Sequence, residues 1–161
     1  MMAVDMFLKL DPIKGEATDS KHKDEIDVLS WSWGLNQTGS QHQSAGGGAG
    51  KVSVHDLHFT HWADKSTAYL IKACTKGEHI AKGILTVRKA GGDALEYIKI
   101  TLEEIIVSSV TPGGSQGDER LTENVSLNFR KFKYEYTPQT DKGAAGSTAQ
   151  FGWDIGANKE T

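Results

Sequence analysis

Apolar and polar residues alternate with a period of two along most of the chain, a pattern typical of β-strands rather than helices. Turn-forming residues end several of the alternating segments, as at Asp11-Pro12 and at Pro138. The segments predicted to be strands are 4–10, 25–33, 51–62, 79–89, 95–110 and 121–136, followed by a short strand around Phe151 and Trp153. The chain is therefore predicted to be mainly β.

The alternation also predicts which face each side chain takes, because neighbouring residues of a strand point to opposite sides. In the first strand Phe7 falls on the polar side, with Asp5 and Lys9. The second strand has Leu29, Trp31 and Trp33 on one face and Ser30 and Ser32 on the other. The apolar face of segment 95–110 comprises Ile98, Ile100, Leu102, Ile106 and Val110.

Two predicted strands change their apolar face part-way along. In the third strand the apolar residues are even-numbered as far as Val54 and odd-numbered from Leu57 onward. In the last long strand the parity changes between Phe129 and Phe132. Each change indicates a β-bulge or a change of packing partner, near residues 55–56 in the first case.

One helix interrupts the strands and is predicted over residues 65–75. Asp64 is placed to cap its first turn, and Gly77 suits the left-handed position just beyond its end. Its apolar stripe comprises Ala68, Leu70, Ile71, Ala73 and Cys74. Strands separated by turns, with one lone helix, predict a β-barrel or a two-sheet sandwich.

The 161 residues suit one domain, 1–161, with one unusual excursion at 34–50. This segment, GLNQTGSQHQSAGGGAG, contains six glycines and no charged residue. A structureless stretch of this length is unusual inside a domain, so it is either a disordered surface loop or a loop that lies against something else. The absence of charge favours the second interpretation, since a merely solvated loop usually carries some.

Charge and cysteine content exclude several classes of partner. The 18 basic and 21 acidic residues give a formal charge of −3, which argues against nucleic acid or an anionic membrane surface as the main partner. Cys74 is the only cysteine, so an internal disulfide and a cysteine-based metal cluster are excluded. No apolar run approaches the ~20 residues of a spanning helix, and no signal peptide is recognisable. Synthesis in the cytoplasm without Sec export is expected, which leaves other export routes open.

The motifs that suggest chemistry fail where their mechanisms need them. The stretch 45–52, AGGGAGKV, is similar to a phosphate-binding loop, but Ala45 replaces its first glycine and Val52 replaces the Ser or Thr that would hold magnesium. The acidic pairs Glu103-Glu104 and Asp118-Glu119 are neighbours in sequence, so their side chains diverge and neither pair forms an acid/base couple. No Ser elbow or Cys–His signature is present, so neither an enzyme nor a cofactor is expected.

Histidines and cations along two strands offer weaker signals. His55, His58 and His61 would share a face on a helix, but on a strand His58 points away from the other two. Histidines that face solvent or pair with a neighbour are therefore favoured over a zinc site. Residues 130–134 mix cations with aromatics, as single-strand nucleic-acid binders do, but in an acidic chain a surface or interface strand is favoured.

Several stretches of the chain resemble the haemolysin-coregulated protein (Hcp) family of bacterial type VI secretion. They occur in order from Val4 to Ile155: VDMFLKL, KGE, EIDVLSWSWG, GGGAGKV with HDLHFTHWADKST, LTVRKAGG, ITLEEIIVSSV, RLTENVSLNF and FGWDI. The sequence departs from the family's pattern at 16–23, at 41–45 and before Phe151. These departures bear on the choice of partners more than on the fold.

The resemblance implies a small β-barrel of two packed antiparallel sheets with one flanking helix. It also implies a homohexameric ring with a wide channel, and rings that stack into a tube inside a contractile sheath, capped by a VgrG-type spike protein. Small secreted effectors would be held in the channel, where the ring acts as their chaperone. The protein would be cytoplasmic before firing and would then be secreted without a signal peptide.

Within that assembly, Ser32 is expected to line the channel, because it points away from the tryptophan face of its strand. The uncharged segment 34–50 is the expected subunit interface. Its glycines would let the backbone approach a neighbouring subunit closely: Gly46, Gly47, Gly48 and Gly50. The exposed turns expected to stack one ring on another contain Gly91, Gly92, Asp93 and Asn158.

Other classes of function remain open from the residues alone. A monomeric β-barrel would bind a small ligand in an apolar interior. A phage tail tube protein would share the architecture of the secretion tube. An effector enzyme with a C-terminal toxin domain is disfavoured, because only eight residues follow Trp153.

Overall fold

Six antiparallel strands close into a barrel with one helix on its flank. The computed structural model describes residues 3–38, 50–90 and 95–161. In chain order its elements are β1 (Val4–Lys9), β2 (Ile26–Ser32), β3 (Leu35–Asn36), β4 (Ser53–Val54), β5 (Leu57–Trp62), α1 (Ser66–Lys76), β6 (His79–Lys89), β7 (Glu96–Pro112), β8 (Thr122–Tyr136), β9 (Ala149–Asp154) and β10 (Lys159–Glu160). The mainly β barrel predicted from the sequence is confirmed.

The barrel strands follow one another in the order β8, β5, β2, β1, β6 and β7, and β7 pairs again with β8 to close the circle. Strands β9 and β10 extend the sheet outward from β8, and β3 and β4 form a separate small sheet. The inward side chains of the barrel strands form the core, with Leu57, Leu85 and Leu127 wholly buried. Trp31 and Trp33 pack against this core half-buried, as their strand face predicts.

The helix α1 begins and ends close to the predicted positions. Asp64 Oδ1 accepts the backbone N–H of Ser66 at 2.8 Å, so Asp64 caps the first turn from one residue farther out than predicted. Gly77 has a φ of 61°, the left-handed conformation expected after the helix. The buried stripe is narrower than predicted, because Ala68 and Ile71 are exposed while Leu70 and Ala73 are buried.

Both predicted changes of apolar face correspond to changes of partner. At residues 55–56 the chain leaves the small sheet of β3 and β4 and enters the barrel as β5. Strand β8 pairs with β5 in its first half, where Leu127 lies opposite Leu57, and with β9 in its second half, where Lys131 lies opposite Asp154. The two halves of β8 therefore bury different sets of alternating side chains, each set packing against the strands beside that half.

The predicted faces are wrong at two positions, each beside a backbone irregularity. The pairing of β2 with β5 shifts register at Leu29, which is turned outward and is 38% exposed. In β7, Glu104 has a φ of 53°, and beyond it Ile105 rather than Ile106 is fully buried. One irregular residue suffices for this change because side chains alternate strictly along a strand.

The polar connection between β1 and β2 folds back over the outer side of β1. The ring of His22 stacks on Phe7 with centroids 4.5 Å apart, and the Arg88 guanidinium lies 5.0 Å from the centre of the Phe7 ring. The two ring nitrogens of His22 lie 2.9 Å from a Glu25 oxygen and 2.7 Å from a Glu96 oxygen. Phe7 lies on the side of β1 that carries Asp5 and Lys9, as predicted, and this cover leaves it only 5% exposed.

Asp19 ties this connection to the barrel through Arg88 and is expected to make stability sensitive to acid. A hydrogen bond from the Arg88 guanidinium, together with one from the backbone N–H of Lys21, lowers the pKa of Asp19 from 3.8 to about 2. Because the pKa is lower in the folded state, the stabilisation is present above about pH 4 and is lost as the pH falls toward about 2.

The Asp19→Asn variant should therefore unfold at a lower urea concentration than the wild type at pH 7. This difference in midpoint should close between about pH 4 and pH 2. The matched control is Asp141→Asn, which changes a carboxylate in an exposed loop. A difference in midpoint that stays constant from pH 7 to pH 2 would contradict the role of Asp19.

Candidate functional site

The outer side of β2, β5, β8 and the adjoining part of β7 carries mainly short polar side chains, and we call it the polar face. It arises because these residues alternate with core residues such as Phe59 and Leu127. Its members are Ser30, Ser32, His58, Thr60, Ser108, Asn124, Ser126 and Asn128. The polar face is thus the outward counterpart of the core of the same strands.

One row of the polar face crosses three strands. Ser32 lies directly opposite His58 on β5, and His58 lies opposite Ser126 on β8. Ser32 and His58 are exposed, whereas the hydroxyl of Ser126 is covered by Ser108, whose Oγ lies 2.7 Å away. A molecule lying against this row would meet hydroxyl and imidazole groups rather than a large apolar patch.

Hydrogen bonds within the polar face hold its side chains in place. Thr60 Oγ1 donates to Asn124 Oδ1 at 2.6 Å. The Asp56 carboxylate, at the entry to β5, accepts one hydrogen bond from Ser108 at 2.6 Å and one from Asn128 Nδ2 at 2.9 Å. These groups are satisfied locally, so the surface can contact other molecules without strong adhesion.

The structure places Ser32 on this polar face, pointing away from the half-buried Trp31 as the sequence predicts. A shallow depression of about 210 Å³ lies around it and is lined by Ser30, Trp31, Ser32, His58, Phe59, Thr60 and Asn124. That Ser32 lines a channel remains a prediction, because a channel requires several subunits.

Two residues predicted to serve different contacts lie on the same groove. Gly50 and Asn158 both line a depression of about 430 Å³ between the β3–β4 sheet and β9. Its other lining residues are mostly apolar, and Leu35 and Phe151 at its rim are 43% and 46% exposed. The remaining interface and stacking residues, Gly46, Gly47, Gly48, Gly91, Gly92 and Asp93, lie outside the described residues.

The three histidines of β5 and its entry do not share a surface. His58 is exposed on the polar face, and His55 Nε2 lies 3.1 Å from Asn36 Nδ2. His61 is wholly buried inside the barrel, where its Nε2 donates to Glu123 Oε1 at 2.6 Å. The structure thus confirms the expectation of histidines that face solvent or pair with a neighbour.

The His61–Glu123 pair was not identified from the sequence, because 62 residues separate its members. Thr67 Oγ1 donates to the same Glu123 oxygen at 2.9 Å, which ties the first turn of α1 to β5 and β8. The sequence did contain one signal for this pair. Glu123 lies two residues before Val125, so it falls on the apolar side of its strand. An acidic residue at a core position predicts a buried partner.

Other observations limit the chemistry open to the chain. Within residues 3–38, 50–90 and 95–161, no set of three or more His, Cys, Asp or Glu side chains is arranged to hold a metal ion. In the same ranges, no helix combines the length and apolar character needed to cross a membrane. The cations of 130–134 are paired at the protein's own surface, since Arg130 and Lys131 both contact Asp154.

Comparison with known proteins identifies relatives over nearly the whole chain. Residues 7–136 match the family model described as "Type VI secretion system effector, Hcp". Protein hcp1 of Pseudomonas aeruginosa is 54% identical over 159 residues, which cover 98% of both chains. The crystal structure of Hcp1 from Salmonella typhimurium is 43% identical, covers 99% of this chain and 100% of its own, and superposes with a TM-score of 0.82. A structure described as a type six secretion system protein is 30% identical with the same coverage and a TM-score of 0.93.

Proposed function

The chain belongs to the Hcp family of type VI secretion proteins, and from that membership we propose that it is the structural subunit of the secretion tube. Six copies would form a ring around a central channel, and rings would stack into the tube. The tube would be expelled with small effectors in its channel. The role is one of assembly and carriage rather than catalysis.

The polar face is the observation that carries this proposal. A channel that holds and then releases varied proteins needs a wall that is neither strongly apolar nor strongly charged. Ser32 and His58, with Ser108 over the buried Ser126, provide such a wall in one subunit. Six copies of the row would form a continuous polar belt around the channel.

Ring closure requires two different surfaces that meet head to tail. The groove between the β3–β4 sheet and β9 is one such surface, because Leu35 and Phe151 expose apolar area at its rim. Gly50, the last residue of the glycine-rich segment 34–50, lies on the same groove. We assign this segment and the groove to the contact between neighbouring subunits, with Gly46, Gly47 and Gly48 as points of close backbone approach.

Contacts between successive rings are assigned to the turns that contain Gly91, Gly92, Asp93 and Asn158. Asn158 has a φ of 53° in the turn between β9 and β10 and is exposed. Since it also borders the groove, the stacking and ring-closing surfaces would adjoin there. The wider partners of the tube would be a contractile sheath around it, a VgrG-type spike at its tip and the effectors inside it.

Hcp family membership also bears on location. The chain would be held in the cytoplasm until firing and would then leave the cell through the type VI apparatus. This route needs no signal peptide.

Ser32→Gln is the variant that tests the channel wall. The longer side chain would project from the wall once per subunit, and we expect recovery of a co-expressed effector with the rings to fall about tenfold, equivalent to ~1.4 kcal/mol. Ring formation, measured by mass, should be unchanged. Thr75→Gln on the exposed side of α1 is the matched control.

Two outcomes would count against the assignment of Ser32. Unchanged effector recovery with intact rings would remove it from the channel wall. Loss of the ring itself would place Ser32 in a subunit contact.

The monomeric ligand-binding barrel is the weaker alternative. Side chains with no exposed area fill the barrel interior, including Leu8, Leu85 and Leu127. Among the described residues, nothing supports a ligand cavity inside the barrel. A phage tail tube protein would share the architecture, but the relatives that match this chain belong to type VI secretion.

A further inference from the structure

The helix α1 presents a row of basic residues and one aromatic residue to solvent. Lys65, Tyr69, Lys72 and Lys76 follow one another at spacings of four, three and four, so at 100° per residue they lie within about 60° of one another around the helix. The Tyr69 ring is 58% exposed. No acidic residue occurs between Asp64 and Gly77, in a chain whose formal charge is −3.

Lys65, Tyr69 and Lys72 of this row border a groove of about 780 Å³. The helix forms one wall of the groove, and the chain around Ile13 and around Ile80 forms the other. Ala73 and Ile80 are buried at its floor, and Ile13 is half-buried. The groove therefore has an apolar floor beneath a rim that carries Lys14, Lys65 and Lys72 and one carboxylate, that of Glu78.

The lysines at the rim are incompletely neutralised by the protein itself. Lys14 is paired with Asp11 at 3.0 Å, and Lys72 lies 4.0 Å from Glu78. The Lys65 ammonium makes no ion pair with the residues that the structure describes, while the Glu16 carboxylate accepts the Lys65 backbone N–H at 2.8 Å. Positive charge is therefore left at the rim for a partner.

We propose that this groove binds an acidic amphipathic helix of a protein partner. Its apolar side would pack on Ile13, Ala73 and Ile80, and its carboxylates would lie against the row of Lys65 and Lys72. Binding of an amphipathic helix in an apolar groove is a common mode of peptide recognition, and charges at the rim set specificity and association rate. This binding does not require a ring or a channel, so its failure would leave the proposed tube function untouched.

The observations favour this occupant over others. A second copy of the chain related by two-fold symmetry would place the lysine row against itself, which repulsion disfavours. A bilayer is nearly flat and would leave the concave groove unfilled. Nucleic acid would gain from the lysines but would leave the apolar floor uncovered.

The test uses the purified full chain and a synthetic 18-residue helical peptide with leucines along one face and glutamates on both flanks. Binding is measured by isothermal titration at low and at moderate salt. The wild type should bind the peptide, and the Lys65→Glu/Lys72→Glu variant should bind it about tenfold more weakly. A second peptide, with lysines in place of the glutamates, should show the reverse preference and bind the double variant better than the wild type.

Lys142→Glu/Lys159→Glu is the matched control, because it makes the same change of net charge at exposed positions away from α1. Tyr69→Ser should weaken both peptides, since it removes part of the apolar contact while leaving the charges in place. Unfolding midpoints identify any variant that is misfolded, and the reversed peptide preference supports the proposal even if the double variant is less stable.

Three results would overturn the proposal. The acidic peptide could bind the wild type and the Lys65→Glu/Lys72→Glu variant equally well. Vesicles of phosphatidylcholine and phosphatidylserine in a 3:1 ratio could bind through Lys65 and Lys72 when the acidic peptide does not, which would indicate a membrane surface. The Tyr69→Ser substitution could abolish a self-association of the wild type, which would make a second copy the occupant.

Discussion

Replacing Glu123 by alanine is expected to destabilise the protein by about 3–5 kcal/mol, as is usual when one partner of a buried pair is removed. Glu123 and His61 have no exposed side-chain area, and their 2.6 Å hydrogen bond lies inside the barrel. Without the carboxylate, the buried His61 ring and the partly buried Thr67 hydroxyl would both lose this acceptor. The change should appear as a large fall in the urea midpoint at a fixed protein concentration.

Two further variants separate the loss of the pair from the loss of bulk. Glu119→Ala removes an exposed carboxylate from the loop before β8 and should leave the midpoint almost unchanged. His61→Leu/Glu123→Leu should recover much of the lost stability, because an apolar pair of similar volume needs no hydrogen bonds. A single Glu123→Ala variant as stable as Glu119→Ala would contradict the account of this pair.

Gly15→Ala is expected to cost about 3 kcal/mol, clearly more than Gly83→Ala at about 1 kcal/mol. A Cβ at residue 15 would lie 2.5 Å from the Glu25 carbonyl oxygen and 2.7 Å from the Ile26 Cα, and both are backbone atoms. A Cβ at residue 83 would instead meet the ends of two side chains, at 2.7 and 2.9 Å. Side-chain ends can rotate away, whereas the paired backbone of β2 cannot.

The two glycine variants should be compared by urea denaturation under the same conditions. Both glycines are buried and both gain one methyl group, so each serves as the control for the other. If Gly83→Ala is as destabilising as Gly15→Ala, the close packing of the β1–β2 connection does not depend specifically on Gly15.

The strands and the helix could be predicted because their signals are local. The alternation predicted a strand at 79–89, and these are the bounds of β6 in the structure. Gly77 correctly predicted the end of α1. The faces of Leu29 and Ile106 could not be predicted, because one irregular residue reverses the parity and no composition marks it. The side of Phe7 was predicted correctly, but its burial could not be, because its cover comes from His22 and Arg88, which are distant in sequence.

In the candidate site, too, the features with local signals could be predicted and those that depend on distant contacts could not. Ser32 was predicted from the alternation of one strand, and the structure places it on the polar face. The polar face as a whole could not be foreseen, because it needs the pairing of β2 with β5 and of β5 with β8. The His61–Glu123 pair and the groove beside α1 likewise depend on contacts between distant segments. Residue patterns thus predict the faces of single strands, and only the closed barrel shows which faces combine.

The mass of the purified protein in solution tests the central claim most directly. Size-exclusion chromatography with multi-angle light scattering should give about 105 kDa, six times the 17.5 kDa of one chain. Electron micrographs of that species should show rings with a central pore. A stable species of 17.5 kDa at micromolar concentration would contradict the proposed ring and would favour the monomeric barrel.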